Sequence, residues 1–155
     1  MRFSSLSRVT ACLALGLALG GAKAAERPNI VLIMCDDMGW SDIGCYGGEV
    51  STPSLDRLAA EGMRFTQHYS GAPVCAPSRC VLMTGKHPGH AIVRNNKAMK
   101  PEGQHPIPDS EVTIGELLQK EGYVTGAFGK WGLGNTWSAG NPTKQGFNRF
   151  FGYNC

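Results

Sequence analysis

At 155 residues the chain has room for one modest domain. Its formal charge of +3 comes from fifteen Lys and Arg against twelve Asp and Glu, but Arg2, Arg8 and Lys23 lie in the first 24 residues without an acid, so the remainder is balanced. That balance, with no Lys/Arg run downstream, excludes a basic nucleic-acid-binding surface as the reading of the charge.

Residues 1–24 read as a secretory signal peptide. Arg2 and Arg8 mark a short basic region, residues 11–21 are apolar, and Ala22-Lys23-Ala24 is an A-x-A cleavage site. The apolar run is too short to span a bilayer, which takes about 20 residues. The expected chain is therefore exported, periplasmic or secreted, with no membrane span after signal removal. Of its six cysteines Cys12 leaves with the signal, and Cys35, Cys45, Cys75, Cys80 and Cys155 remain. No C-x-x-C pair occurs, which argues against a zinc ribbon or a thioredoxin-like site.

In chain order, Asn29 to Cys35 is a continuous apolar, β-branched run. It predicts a strand buried on both faces, as in a parallel sheet. Thr52-Pro53 predicts a helix through Glu61, with Thr52 as N-cap, Pro53 at the first position, Gly62 beyond the end and an apolar stripe at Leu55, Leu58 and Ala59. Met63 to Tyr69 predicts a second short strand. Pro77 to Met83 predicts a helix closed by Gly85, with Pro77 at its first position. Residues 86–112, rich in Pro, Gly, His, Asn and Lys, predict a long irregular excursion. Thr113-Ile-Gly-Glu116 is a capping box for a helix ending at Glu121, with Gly122 after it. Tyr123 to Phe128 predicts the next strand, and residues 134–146 a loop. The alternation gives α/β as the fold class, with a mainly parallel sheet.

Several residues in this order could carry chemistry. Asp36-Asp37 follows the first predicted strand, where open α/β sheets bind ligands. Paired carboxylates there suit either a hard divalent cation or a solvated turn. Cys75 can be a structural thiol, a thiolate nucleophile or the precursor of a modified residue. A helix start close behind it favours anions. His87 and His90 lie in the long excursion with Arg94-Asn95-Asn96 and His105, where they either line a substrate pocket or stay solvated.

Three stretches carry a family resemblance. Cys75-Ala-Pro-Ser-Arg79 followed by Thr84-Gly85 resembles the modification motif of the sulfatase family, C-x-P-S-R-x-x-x-x-T-G. Residues 27–39, Arg-Pro-Asn-Ile-Val-Leu-Ile-Met-Cys-Asp-Asp-Met-Gly, are similar to that family's N-terminal strand with its paired aspartates. Residues 122–133, Gly-Tyr-Val-Thr-Gly-Ala-Phe-Gly-Lys-Trp-Gly-Leu, resemble its second motif. The resemblance implies an alkaline-phosphatase-like doubly wound sheet flanked by helices, of which residues 25–155 are the N-terminal part. It implies hydrolysis of sulfate esters, with a sulfated small molecule or a sulfated polysaccharide as substrate.

The resemblance also assigns roles. Cys75 is oxidised to formylglycine by a formylglycine-generating or sulfatase-maturating enzyme, and its hydrate is both metal ligand and nucleophile on sulfur. Asp36 and Asp37 hold a divalent metal, Ca²⁺ before Mg²⁺. Arg79 supports the hydrate, and Lys130 contacts the sulfate, with His87 and His90 as further substrate-binding candidates. Many family members carry a histidine two residues after the lysine, a position held here by Gly132. Two other readings are a phosphate- or phosphonate-ester hydrolase of the same superfamily and a non-catalytic fragment.

Overall fold

The computed structural model describes residues 27–154; the segment 1–24, read from the sequence as a signal peptide, lies outside them. The chain divides after Cys35, and all the elements below belong to the part from Asp36 onward. They are helices α1 (Pro53–Glu61), α2 (Cys75–Thr84) and α3 (Ile114–Lys120), and strands β1 (Gly126–Lys130) and β2 (Arg149–Tyr153).

Helix α1 starts at Pro53 as expected, where the missing N–H costs nothing. Thr52 does not cap it with its side chain. Its hydroxyl instead accepts from Gly44 N at 2.8 Å and donates to Asp56 Oδ1 at 3.0 Å, while Asp56 Oδ1 also accepts from Cys45 N at 2.7 Å. Those bonds tie the 3₁₀ turn Gly44–Tyr46 onto the first turn of α1. The expected apolar stripe is exposed at Leu55 and Leu58.

Helix α2 begins at Cys75, two residues before the sequence expectation, and Pro77 sits third in it rather than first. A proline is tolerated anywhere in that turn, because its N–H groups have no intrahelical acceptor. Gly85 closes α2 as expected, in a left-handed conformation with its N–H on Val81 O at 2.9 Å. Helix α3 carries the expected capping box: Glu116 N donates to Thr113 Oγ1 at 3.3 Å and Thr113 N to Glu116 Oε2 at 2.8 Å.

Strands β1 and β2 pair in parallel, with Gly126 opposite Arg149 and Lys130 opposite Tyr153. The connection between them, 131–148, carries no α-helix and turns through the 3₁₀ segment Pro142–Lys144. Gly152 is required in β2, since a Cβ there would stand 1.8 Å from Gly129 O. The parallel sheet with its helices agrees with the α/β expectation, but the strands differ in detail. β1 starts three residues later and ends two later than the segment 123–128, and β2 lies beyond the last element expected from the sequence. The runs 29–35 and 63–69 are not strands; Val31, Ile33, Met63 and Tyr69 are exposed. A strand needs a ladder partner, and neither run finds one among the described residues.

The core is built from Ala76 and Cys80 on one face of α2, Ala91, Val93 and Ile107 from the long excursion, and Trp131, Leu133 and Phe147 beyond β1. Trp131 meets Phe147 edge-on at 5.6 Å and donates its indole N–H to Gly140 O at 2.6 Å. This core therefore lies directly after Lys130 in sequence and directly beside Arg79 on α2. On the sheet, Phe128 and Phe151 stand opposite each other in register and both are exposed, at 77% and 81%.

Candidate active site

Three segments distant in sequence converge on the first turn of α2. Asp36 comes from the bend that follows the extended run, Cys75 and Arg79 from α2, and Lys130 from the last position of β1. Lys130 Nζ donates to Asp36 Oδ2 at 2.8 Å, and Arg79 Nη2 approaches the same oxygen at 3.7 Å. Arg79 Nη1 donates to the backbone carbonyl of Lys130. The arginine is buried, with 10% of its side chain accessible, and its Nε has no hydrogen-bond partner among the described residues.

These contacts set the charges. The Lys130 hydrogen bond holds the Asp36 carboxyl below the usual carboxylate range, against a smaller desolvation and with help from the charges of Lys130 and Arg79. Reciprocally, Asp36 raises Lys130 above the ordinary lysine value, with Cys75 adding to the effect. Burial alone would push the Cys75 thiol up. Hydrogen bonds from Asn96 and Lys130, the Lys130 charge and the Ala76 N–H together outweigh it, and the thiol is lowered.

Asn96 was part of the excursion flagged in the sequence, with no link to Cys75. Its Nδ2 lies 3.2 Å from Cys75 Sγ and its Oδ1 3.5 Å, and Oδ1 accepts from Ala76 N at 3.0 Å. Twenty-one positions separate Cys75 and Asn96 and no local pattern joins them.

The remaining candidates stand apart. Asp37 is the one non-glycine residue with positive φ among the described residues, at 57°, a conformation aspartate tolerates better than most. His87 and His90 are exposed and pack against each other, ring centroids 6.2 Å apart, with His87 Nδ1 accepting from Gly89 N at 3.1 Å. No contact joins either ring to Asp36, Cys75, Arg79 or Lys130 among the described residues. Gly132 adopts φ 76°, and a Cβ on it would meet Arg79 Cδ at 3.3 Å. The backbone that takes the place of the expected histidine thus lies against the buried arginine.

For a hard divalent cation the donors fit in kind, because Asp36 and Asp37 are adjacent carboxylates at one bend. They are two donors where such ions take about six to eight oxygens, and one Asp36 oxygen faces Lys130. Among the described residues no three His, Cys, Asp or Glu converge as a metal cluster. The described cysteines, Cys35, Cys45, Cys75 and Cys80, are all free thiols.

Known proteins share this arrangement of sequence and fold. Human arylsulfatase A is 46% identical over 142 residues, covering 90% of this chain and 28% of its own length. Human N-acetylgalactosamine-6-sulfatase is 43% identical over 145 residues, covering 88% and 28%. The crystal structure of Ps i-CgsB superposes with a TM-score of 0.77 at 37% identity, over 83% of this chain and 28% of that one. A second structure of Ps i-CgsB, in complex with k-i-k-neocarrahexaose, has a TM-score of 0.70 at 35% identity, over 77% and 26%. The chain thus spans little more than a quarter of the length of the proteins it matches. The family model described as Sulfatase matches residues 28–155, and the chain belongs to the sulfatase family.

Proposed function

We propose that the chain is the nucleophile-bearing part of an exported sulfuric ester hydrolase, acting on a sulfated small molecule or a sulfated polysaccharide. The observation that carries this reading is the convergence of Cys75, Arg79, Lys130 and Asp36 at the first turn of one helix. Two fixed cations beside a side chain at a helix start suit an ester whose transferred group is negatively charged. The buried Arg79 Nε, without a partner among the described residues, supports an acceptor that arrives with substrate or with the matured side chain.

Cys75 is the residue to be oxidised to formylglycine by a maturation enzyme. Lys130 binds a sulfuryl oxygen and stabilises the charge that develops as the S–O bond changes. Arg79 orients the side chain at position 75 and balances its charge. Asp36, Asp37 and the side chain at position 75 would hold a divalent cation, Ca²⁺ in preference to Mg²⁺, which when bound supplies a Lewis-acid charge. His87 and His90 serve as outer contacts for substrate, in keeping with their exposure. The relative bound to k-i-k-neocarrahexaose supports an oligosaccharide as one form of the substrate. The basic start, apolar run and A-x-A site of residues 1–24 support export to the periplasm or beyond.

The test is a mass spectrum of tryptic peptide 65–79 from protein made in its native host, since that peptide holds Cys75 and no other cysteine. A species lighter than the cysteine form and reactive towards aldehyde probes is expected. An intact, alkylatable thiol would overturn the proposal. Matched aryl sulfate and aryl phosphate esters then separate a sulfatase from a phosphate-ester hydrolase. The 155-residue chain alone is expected to be inactive and to bind Ca²⁺ weakly, because its carboxylate donors are too few.

A further inference from the structure

Helix α2 lacks a cap of its own. Its N-cap is Val74, in extended conformation with φ −128° and ψ 159°, and a valine has no oxygen to offer the first turn. Pro77 brings no N–H, and Ser78 N already donates to Val74 O at 3.1 Å. The Ala76 N–H is the group that an N-cap side chain would ordinarily satisfy. It is taken by Asn96 Oδ1 at 3.0 Å, from a residue twenty positions away.

That bond decides which way the carboxamide faces. With Oδ1 committed to Ala76 N, the NH₂ end is the one turned to residue 75, and Nδ2 lies 3.2 Å from Cys75 Sγ. Asn96 is itself held in place. Its N–H bonds Asn95 Oδ1 at 2.9 Å, and the residues after it form a small antiparallel loop. There Lys97 N donates to Gln104 Oε1 at 2.7 Å, His105 N to Lys97 O at 2.9 Å, and Ala98 bridges Gln104.

We infer that Asn96 is a positioning residue for the side chain at position 75: a substitute cap for α2 whose amide N–H₂ fixes the rotamer of that side chain. Its catalytic meaning rests on the sulfatase reading, but the contact does not, so it can be tested on the unmodified 155-residue chain without any turnover assay. The excursion 86–112 then supplies the donor that aims the nucleophile-bearing residue.

The two halves of the role come apart by substitution. Asn96→Asp keeps an acceptor for Ala76 N–H and removes the donor to position 75. Asn96→Ala removes both. Adding Val74→Ser to Asn96→Ala returns a cap oxygen at the usual N-cap position without returning the donor. The readouts are thermal unfolding and NMR of the chain labelled at cysteine, in which the Hα–Hβ couplings of Cys75 report a single or an averaged rotamer.

Asn96→Ala is expected to lower Tm by about 2–4 °C, the size of one lost cap in a domain of this length. Val74→Ser in that background should recover most of the loss. Asn96→Asp should unfold near the wild-type temperature. In Asn96→Ala and in the Val74→Ser, Asn96→Ala pair the Cys75 couplings should average, whereas Asn96→Asp still accepts from the Cys75 S–H. A Cys75 rotamer still fixed in the Val74→Ser, Asn96→Ala pair would overturn the positioning role, and an unchanged Tm in Asn96→Ala would overturn the cap. Should Asn96→Ala fail to fold, the other two variants still give both readings.

Discussion

Lys130 Nζ stands 2.8 Å from Asp36 Oδ2 across ninety-four positions of chain. This ion pair joins the end of β1 to the bend that carries both aspartates, and it links the stretch 122–133 to the stretch 27–39.

The pair should impose a pH window on stability. Asp36 is held below the ordinary carboxylate value of about 3.9, so its contribution is present above that pH and is lost as pH falls through the lowered value. Lys130 is raised above about 10.4, so its contribution is present below that pH and is lost as pH rises through the raised value. Measured in a Cys75→Ser background, which removes the lowered thiol that also faces Lys130, the Tm difference between Asp36 and Asp36→Asn should stay level from about pH 5 to about pH 9 and close at both extremes. A difference that varied through the neutral range would rule this pair out as its source.

Removing the ammonium should also be felt at Cys75. In Lys130→Met the unmodified thiol loses the ammonium that helps to lower it, and it should move back up. Alkylation of Cys75 at neutral pH, followed on peptide 65–79, should slow relative to wild type. In a matured full-length enzyme the same substitution should lower kcat by about 10²–10³, the usual effect of deleting one fixed charge-stabilising donor.

Gly132→His would not restore the family's usual histidine in this backbone. With φ at 76° any side chain is strained, and its Cβ would press on Arg79 Cδ at 3.3 Å. The expected cost is about 1–2 kcal/mol of stability, read by urea unfolding, with Gly132→Ala close behind. Equal stability of wild type and Gly132→Ala would show that this backbone is free to relax.

Trp131→Ala should be the most damaging of these changes. It empties the centre of the core and leaves Gly140 O without its indole donor. A loss of about 3–5 kcal/mol is expected, and Trp131→Phe should recover part of it.

The candidate site's local geometry was more legible in the sequence than the sheet. Cys75 and Arg79 sit four apart on one helix, and the Gly-Lys-Trp segment ends a strand; local motifs of this kind carry their geometry with them. The capping box at Thr113 and the closing glycine at Gly85 were likewise local, and both form as written. The run 29–35 misled because apolar β-branched residues describe a buried strand only where neighbours cover both faces. The start of α2 was misplaced because Pro77 signals a first turn without fixing which of its positions it holds. Asn96 was hidden for the opposite reason: its partner lies twenty-one residues away, and the clue was the absence of a capping side chain at Val74.

The bond from Arg79 to the carbonyl of Lys130 separates the two cations functionally. Arg79 grips the lysine's main chain, which every substitution at position 130 preserves, so the guanidinium keeps its anchor when the ammonium is deleted. Lysine variants therefore report on one charge at a time. Changes that bend the backbone at 130–132, by contrast, would displace both cations together, so the tolerance of this short segment to mutation should follow its main-chain conformation more closely than its side chains.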